Sequence, residues 1–98
     1  MTWLSEDYER VLQADVRLMV DGARKVKEQL RRRAVQFIIG RINHHLNEGV
    51  RDKDEMLRLV QAETEERFRS LILLWILGGI VQYLVLRILK KIFPVESD

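Results

Sequence analysis

The sequence predicts an all-α fold: a long antiparallel helical hairpin, coiled-coil-like, whose second helix continues into an apolar C-terminal helix. Three observations predict it. Apolar residues recur at helical spacing through the first half of the chain. Asn47-Glu48-Gly49 interrupts that pattern, and Gly49 suits the left-handed position that follows a helix. Residues 71–89, LILLWILGGIVQYLVLRIL, are apolar on every side, which implies burial all round. One proline, five glycines and 33% charged residues describe a helical chain, not a β-sandwich or a disordered tail.

The first helix is expected over 5–46. Ser5 is its N-cap, and Glu6, Asp7 and Glu9 suit the positive end of the helix dipole. Its seam is Tyr8, Leu12, Val16, Met19, Ala23, Val26, Leu30, Ala34 and Phe37. Asp21-Gly22 is a weak point in it, because glycine costs a helix about 1 kcal/mol against alanine. Beyond Ala34 the apolar face widens through Val35, Ile38, Ile39, Ile42 and Leu46. After a turn at 47–51, Asp52 caps the second helix and Glu55 completes an acidic variant of the capping box. Nothing between Arg58 and Trp75 is a helix breaker, so this helix is expected to run unbroken until Pro94. The organisation is then a charged amphipathic region at 1–69, an apolar helix at 70–93 and a polar tail at 94–98.

Whether lipid or protein buries the apolar helix decides the class. Residues 71–89 would span about 28 Å, close to the ~30 Å hydrocarbon thickness of a bilayer. Thirteen of them are Leu, Ile or Val, together worth roughly −4 to −8 kcal/mol of insertion free energy before penalties. Arg87 snorkels outward with Lys90 and Lys91. The arithmetic favours a single-pass C-terminal membrane anchor. The competing expectation is a soluble dimer: two hairpins of nearly equal arms burying their apolar segments against each other as a four-helix bundle. A signal peptide is not expected from MTWLSEDYER, which lacks a basic n-region and an apolar h-region.

The residues that carry chemistry in other chains are sparse. There is no cysteine, hence no disulfide or thiolate chemistry. His44 and His45 are adjacent, so on a helix they diverge by about 100° and cannot both face one metal ion. Neither a catalytic triad nor a phosphate loop is present. An enzyme, a cofactor and a small-molecule substrate are therefore not expected. The formal charge is only +2, but 24–41 holds seven basic residues against the single acid Glu28. The turn would set this stretch opposite the acids of the second helix, as exposed ion pairs of about 0–1 kcal/mol each. Arg31, Arg32, Arg33, Arg87, Lys90 and Lys91 are candidate contacts for anionic lipid. Aromatic residues to stack on bases are missing among them, which argues against nucleic acid.

Two groups of residues are expected to make helix–helix contacts. Leu12, Val16, Met19, Val26, Leu30 and Phe37 form the seam of the first helix. Trp75, Gly78, Gly79 and Gln82 form a face of the apolar helix where small residues allow close approach and Gln82 seeks a hydrogen-bond partner. The functional expectation is a non-enzymatic, membrane-anchored coiled-coil adaptor or an accessory subunit of a larger membrane assembly. It would meet membrane lipid and act as a homo-oligomer or in a larger complex. The alternatives are the soluble dimeric binding module and, more distantly, a holin-like pore former.

Overall fold

The computed structural model describes residues 3–20, 27–69 and 74–94. They form four helices and no strand: α1 Glu6–Val20, α2 Glu28–Asn47, α3 Lys53–Arg67 and α4 Leu74–Ile92. Several local expectations hold. Ser5 Oγ accepts the amide of Tyr8 at 3.1 Å, and Asp52 Oδ2 accepts that of Glu55 at 2.8 Å. Gly49 takes φ +98°, the left-handed conformation that only glycine adopts without strain. Across it, Val50 N donates to His45 O at 2.9 Å and closes the end of α2.

Two expected long helices are each two helices. In the first, Lys27 is extended at φ −67°, ψ 142° and caps a separate helix, α2; the expected weak point at Asp21-Gly22 lies outside the described residues. The second, expected to be unbroken, ends at Arg67, where Phe68 leaves helical geometry at φ −116°, ψ 28°. Every sequential pair of helices is antiparallel. Trp3 reaches Asn43 and Asn47 while Gln13 reaches Arg31 and Arg32. The amide of Gln61 lies against Gly78, and Tyr8 meets Lys91 while Asp15 meets Tyr83. This is an up-down-up-down bundle in which each helix packs on the next, α4 returns to α1, and α2 and α4 touch across the middle. It measures 38 × 28 × 25 Å with a radius of gyration of 13.1 Å, matching the ~13 Å of a compact chain this long.

Burial explains why folding back wins over helix propensity. Leu77, Ile80, Val81, Leu84, Val85, Ile88 and Leu89 of α4 are all buried. At about 1.5–3 kcal/mol each they contribute roughly 10–20 kcal/mol, an upper bound. Continuing the helix saves only a few tenths of a kcal/mol per residue of propensity. The same core takes in Leu12 and Val16 of α1, Ala34, Val35, Ile38, Ile42 and Leu46 of α2, and Met56 and Val60 of α3. The apolar helix is thus covered within one chain, where the hairpin reading needed a second copy.

The transmembrane expectation finds no support in this geometry: among the described residues no helix is long and apolar enough to cross a membrane.

Two measurements check this packing. Leu84→Ala, at a fully buried position of α4, is expected to lower unfolding free energy in detergent-free buffer by about 2–5 kcal/mol, read by urea denaturation. The glycine pair separates the inner and outer sides of α4. A Cβ at Gly79 meets nothing within 4 Å, whereas one at Gly78 lies 3.2 Å from Gln61 Nε2. Gly79→Ala is expected to stabilise by about 0.5–1 kcal/mol and Gly78→Ala by less, measured as thermal midpoints.

Candidate functional site

Polar groups gather at several places on this bundle. The first joins α2 to α3. Arg41 Nη2 donates to Glu63 Oε2 at 2.7 Å, and His45 Nε2 stands 2.7 Å from Glu63 Oε1. Burial alone would raise the Glu63 carboxyl, but hydrogen bonds from Arg41 and His45 outweigh it and hold the group below its ordinary value. Glu63 is therefore an ionised acceptor, and His45 Nε2 carries the proton of their hydrogen bond. Both Glu63 oxygens are engaged, and among the described residues no group of three potential ligands is placed to hold a metal ion. The cluster ties two helices together, with Phe37 edge-on to Phe68 beside it at 5.7 Å.

The second joins α1 to α4. Tyr83 Oη donates to Asp15 Oδ2 at 2.7 Å, and Arg87 Nη2 lies 3.9 Å from the same oxygen. Burial and then Asp15 push the Tyr83 hydroxyl above its ordinary value, so it stays a donor. One turn on, Lys91 Nζ stands 4.1 Å over the Tyr8 ring, a cation–π contact of about 0.5–1 kcal/mol.

The third closes one end of the bundle, where the N-terminal segment, the α2–α3 turn and the end of α4 meet. The Arg51 guanidinium lies 5.2 Å from the Trp3 ring and 5.2 Å from that of Phe93, and the two rings are 6.0 Å apart. Arg51 Nη1 donates to Leu46 O at 2.7 Å and Val50 O at 2.9 Å. Trp3 is anchored through its amide to Asn43 and through its indole N–H to Asn47. Beside this stack opens a cleft of about 600 Å³ between Arg51 and Lys53 on one side and Leu86, Leu89, Lys90 and Phe93 of the α4 end on the other. No acid lines it among the described residues. Leu86 and Phe93 keep 37% of their surface exposed. Three cations around accessible apolar surface make a place for an anionic, partly apolar group, and this cleft is the candidate site.

The residues singled out from sequence fall as follows. Leu12 and Val16 are core, Leu30 and Phe37 are partly buried, and Met19 is 47% exposed. Val26 and the Trp75 side chain lie outside the described residues. Gly78 faces α3, while Gly79 and Gln82 are exposed on the outer side of α4. The arginine run divides. Arg31 is buried, donating from Nη1 to Gln13 O and Oε1 at 3.0 Å each, and burial lowers its guanidinium with Glu28 acting against the shift. Arg32 and Arg33 are exposed. These sit at the opposite end of the bundle from Lys90 and Lys91, so the six cations form no single surface. Arg51 and Lys53 were missed, because only the antiparallel return of α4 brings them to Lys90. The seven-residue repeat of Leu86 and Phe93 was the available signal.

The Glu63 pairing predicts an acid limb. A carboxyl depressed in the native state contributes stability above its unfolded value, lost as pH falls from about 4 toward the native value. Glu63→Gln is expected to be less stable than the parent at neutral pH and to lose less stability on acidification below pH ~4, followed by denaturation at several pH values. No protein-family model, curated protein or solved structure matches this chain.

Proposed function

We propose that this chain is a non-catalytic binding module, a four-helix bundle that engages a partner through the cationic, apolar cleft at the α4 end. The observation that carries the reading is the composition of that cleft: Arg51, Lys53 and Lys90 around exposed Leu86 and Phe93, with no lining acid among the described residues. Elsewhere the polar clusters are satisfied internally. Glu63 is saturated by Arg41 and His45, and Arg31 by Gln13 and Glu28. Groups so committed brace helices; they are not aimed at a substrate.

The membrane-anchored reading has less support than this one. An all-round apolar helix in search of a solvent was its premise, whereas α4 buries one face against α1, α2 and α3 and exposes Gly79, Gln82, Arg87 and Lys90 on the other. What is left outside is an uneven, partly apolar and positively charged end, which suits recognition of another molecule.

An anilinonaphthalene sulfonate, a fluorophore that joins an anion to aromatic rings, tests the site directly. Saturable binding to the folded protein is expected with Kd on the order of tens of micromolar. A variant carrying both Leu86→Asp and Lys90→Glu should lose it while keeping the parent's helical circular dichroism and melting temperature. No binding by the parent, or equal binding by the variant, would reject the cleft as the site.

A further inference from the structure

We infer that the occupant of the cleft is an acidic amphipathic helix of a protein partner; this rests on the cleft being the binding site. Charge supplies the first part of the argument. Lys53 and Lys90 are exposed and hold no ion pair among the described residues. Arg51 spends only Nη1 on the two carbonyls it bonds. Among the described residues the lining therefore presents positive charge with no acid beside it, and a carboxylate-bearing partner is its complement.

Spacing supplies the second part. Leu86 and Phe93 are seven residues apart and both exposed, about 10.5 Å or two turns along the axis of α4. A helix laid beside α4 repeats its own apolar residues at that distance, as helix-in-groove ligands do at i, i+3, i+4 and i+7. Lys90 lies between the two on the same side of α4. An acid on the flank of the ligand's apolar stripe would reach it.

The surroundings discriminate against a lipid surface, which shares the chemistry of anion and hydrocarbon. Glu48, Asp52, Asp54 and Glu55 are exposed around the same end of the bundle. A flat anionic bilayer pressed onto this end would meet those four carboxylates together with the cations, and like charges cost what the cations gain. A helix about 10 Å wide follows the cleft and avoids them.

The test uses the full chain and fluorescently labelled peptides. One is an amphipathic helix of about 18 residues with leucine on one face and glutamate flanking it; a second has the same composition scrambled, and a third replaces glutamate by lysine. The glutamate peptide is expected to bind, the scrambled one at least about tenfold more weakly. Binding should weaken as salt is raised from about 50 to about 500 mM. Lys53→Glu with Lys90→Glu should lower affinity for the glutamate peptide at least about tenfold and raise it for the lysine peptide, a swap that lost folding cannot produce. The inference falls if the scrambled peptide binds equally or if charge reversal changes neither affinity. It also falls if phosphatidylglycerol vesicles capture the protein while the peptide does not. Should the fluorophore still saturate the cleft when the peptide fails, the site stands and its helical occupant does not.

Discussion

The fold depends on one constraint: the wide apolar face of α4 cannot be left in water. Leu77, Ile80, Val81, Leu84, Val85, Ile88 and Leu89 occupy about half of the circumference of α4. The chain covers that face with α1, α2 and α3. Two of the contacts are with sequential or terminal partners, α3 and α1, and the third is the diagonal approach of α2. That diagonal is possible because the central helix is wide in its apolar face, with Val35, Ile38, Ile39 and Ile42 all buried. The helix breaks follow from the same demand. A straight second helix of some forty residues would carry α4 beyond the reach of α1, and the loss of its burial exceeds any gain in helix continuity.

Polar contacts choose among ways of satisfying that demand. A bundle of amphipathic helices has many nearly equivalent packings, and apolar contacts alone discriminate poorly between them. Three helix seams, α1–α2, α2–α3 and α1–α4, have a polar tie between sequence-distant residues: Gln13 with Arg31, Arg41 and His45 with Glu63, Asp15 with Tyr83 and Arg87. A partly exposed pair adds little stability. Sliding α3 by a turn along α2, however, would strip Glu63 of both hydrogen bonds in a half-buried setting. The cost of leaving such groups unpaired exceeds the worth of forming the pair, so the ties specify register more than they add stability.

What was legible in the sequence was local. The Ser5 and Asp52 caps, the glycine turn at Gly49 and the core positions Leu12 and Val16 each rest on a few neighbouring residues. Burial of the last helix on every side was expected too, but Gly79, Gln82, Leu86, Arg87 and Lys90 are exposed and only one face is buried. The errors were non-local. Between Arg58 and Trp75 every residue is compatible with helix, and the termination at Arg67 is decided by where α4 must pack. Met19 belongs to the seam by spacing yet is 47% exposed, because its neighbours α2 and α4 set which side of α1 faces inward. The membrane expectation, which nothing among the described residues supports, had one source: hydrophobicity states how badly a helix needs burial and is silent on whether lipid or protein provides it. The cleft was hidden for the same reason, since its two walls are separated by more than thirty residues of chain.

One wall of the cleft is braced, which bears on what it can bind. Arg51 is held between two aromatic rings and by two carbonyls of the α2–α3 turn, and Trp3 is tied to α2 through two asparagines. Immobilising a long side chain on binding costs about 0.5–1.5 kcal/mol, and here that cost for Arg51 is already met in folding. Lys53 and Lys90, by contrast, are exposed and hold no ion pair among the described residues. One fixed cation and two adaptable ones give a surface that can fix the position of one carboxylate and adjust to others nearby. Such a division suits a family of related acidic helices better than a single rigid ligand, since the anchor sets position while the lysines tolerate variation in where the flanking acids fall.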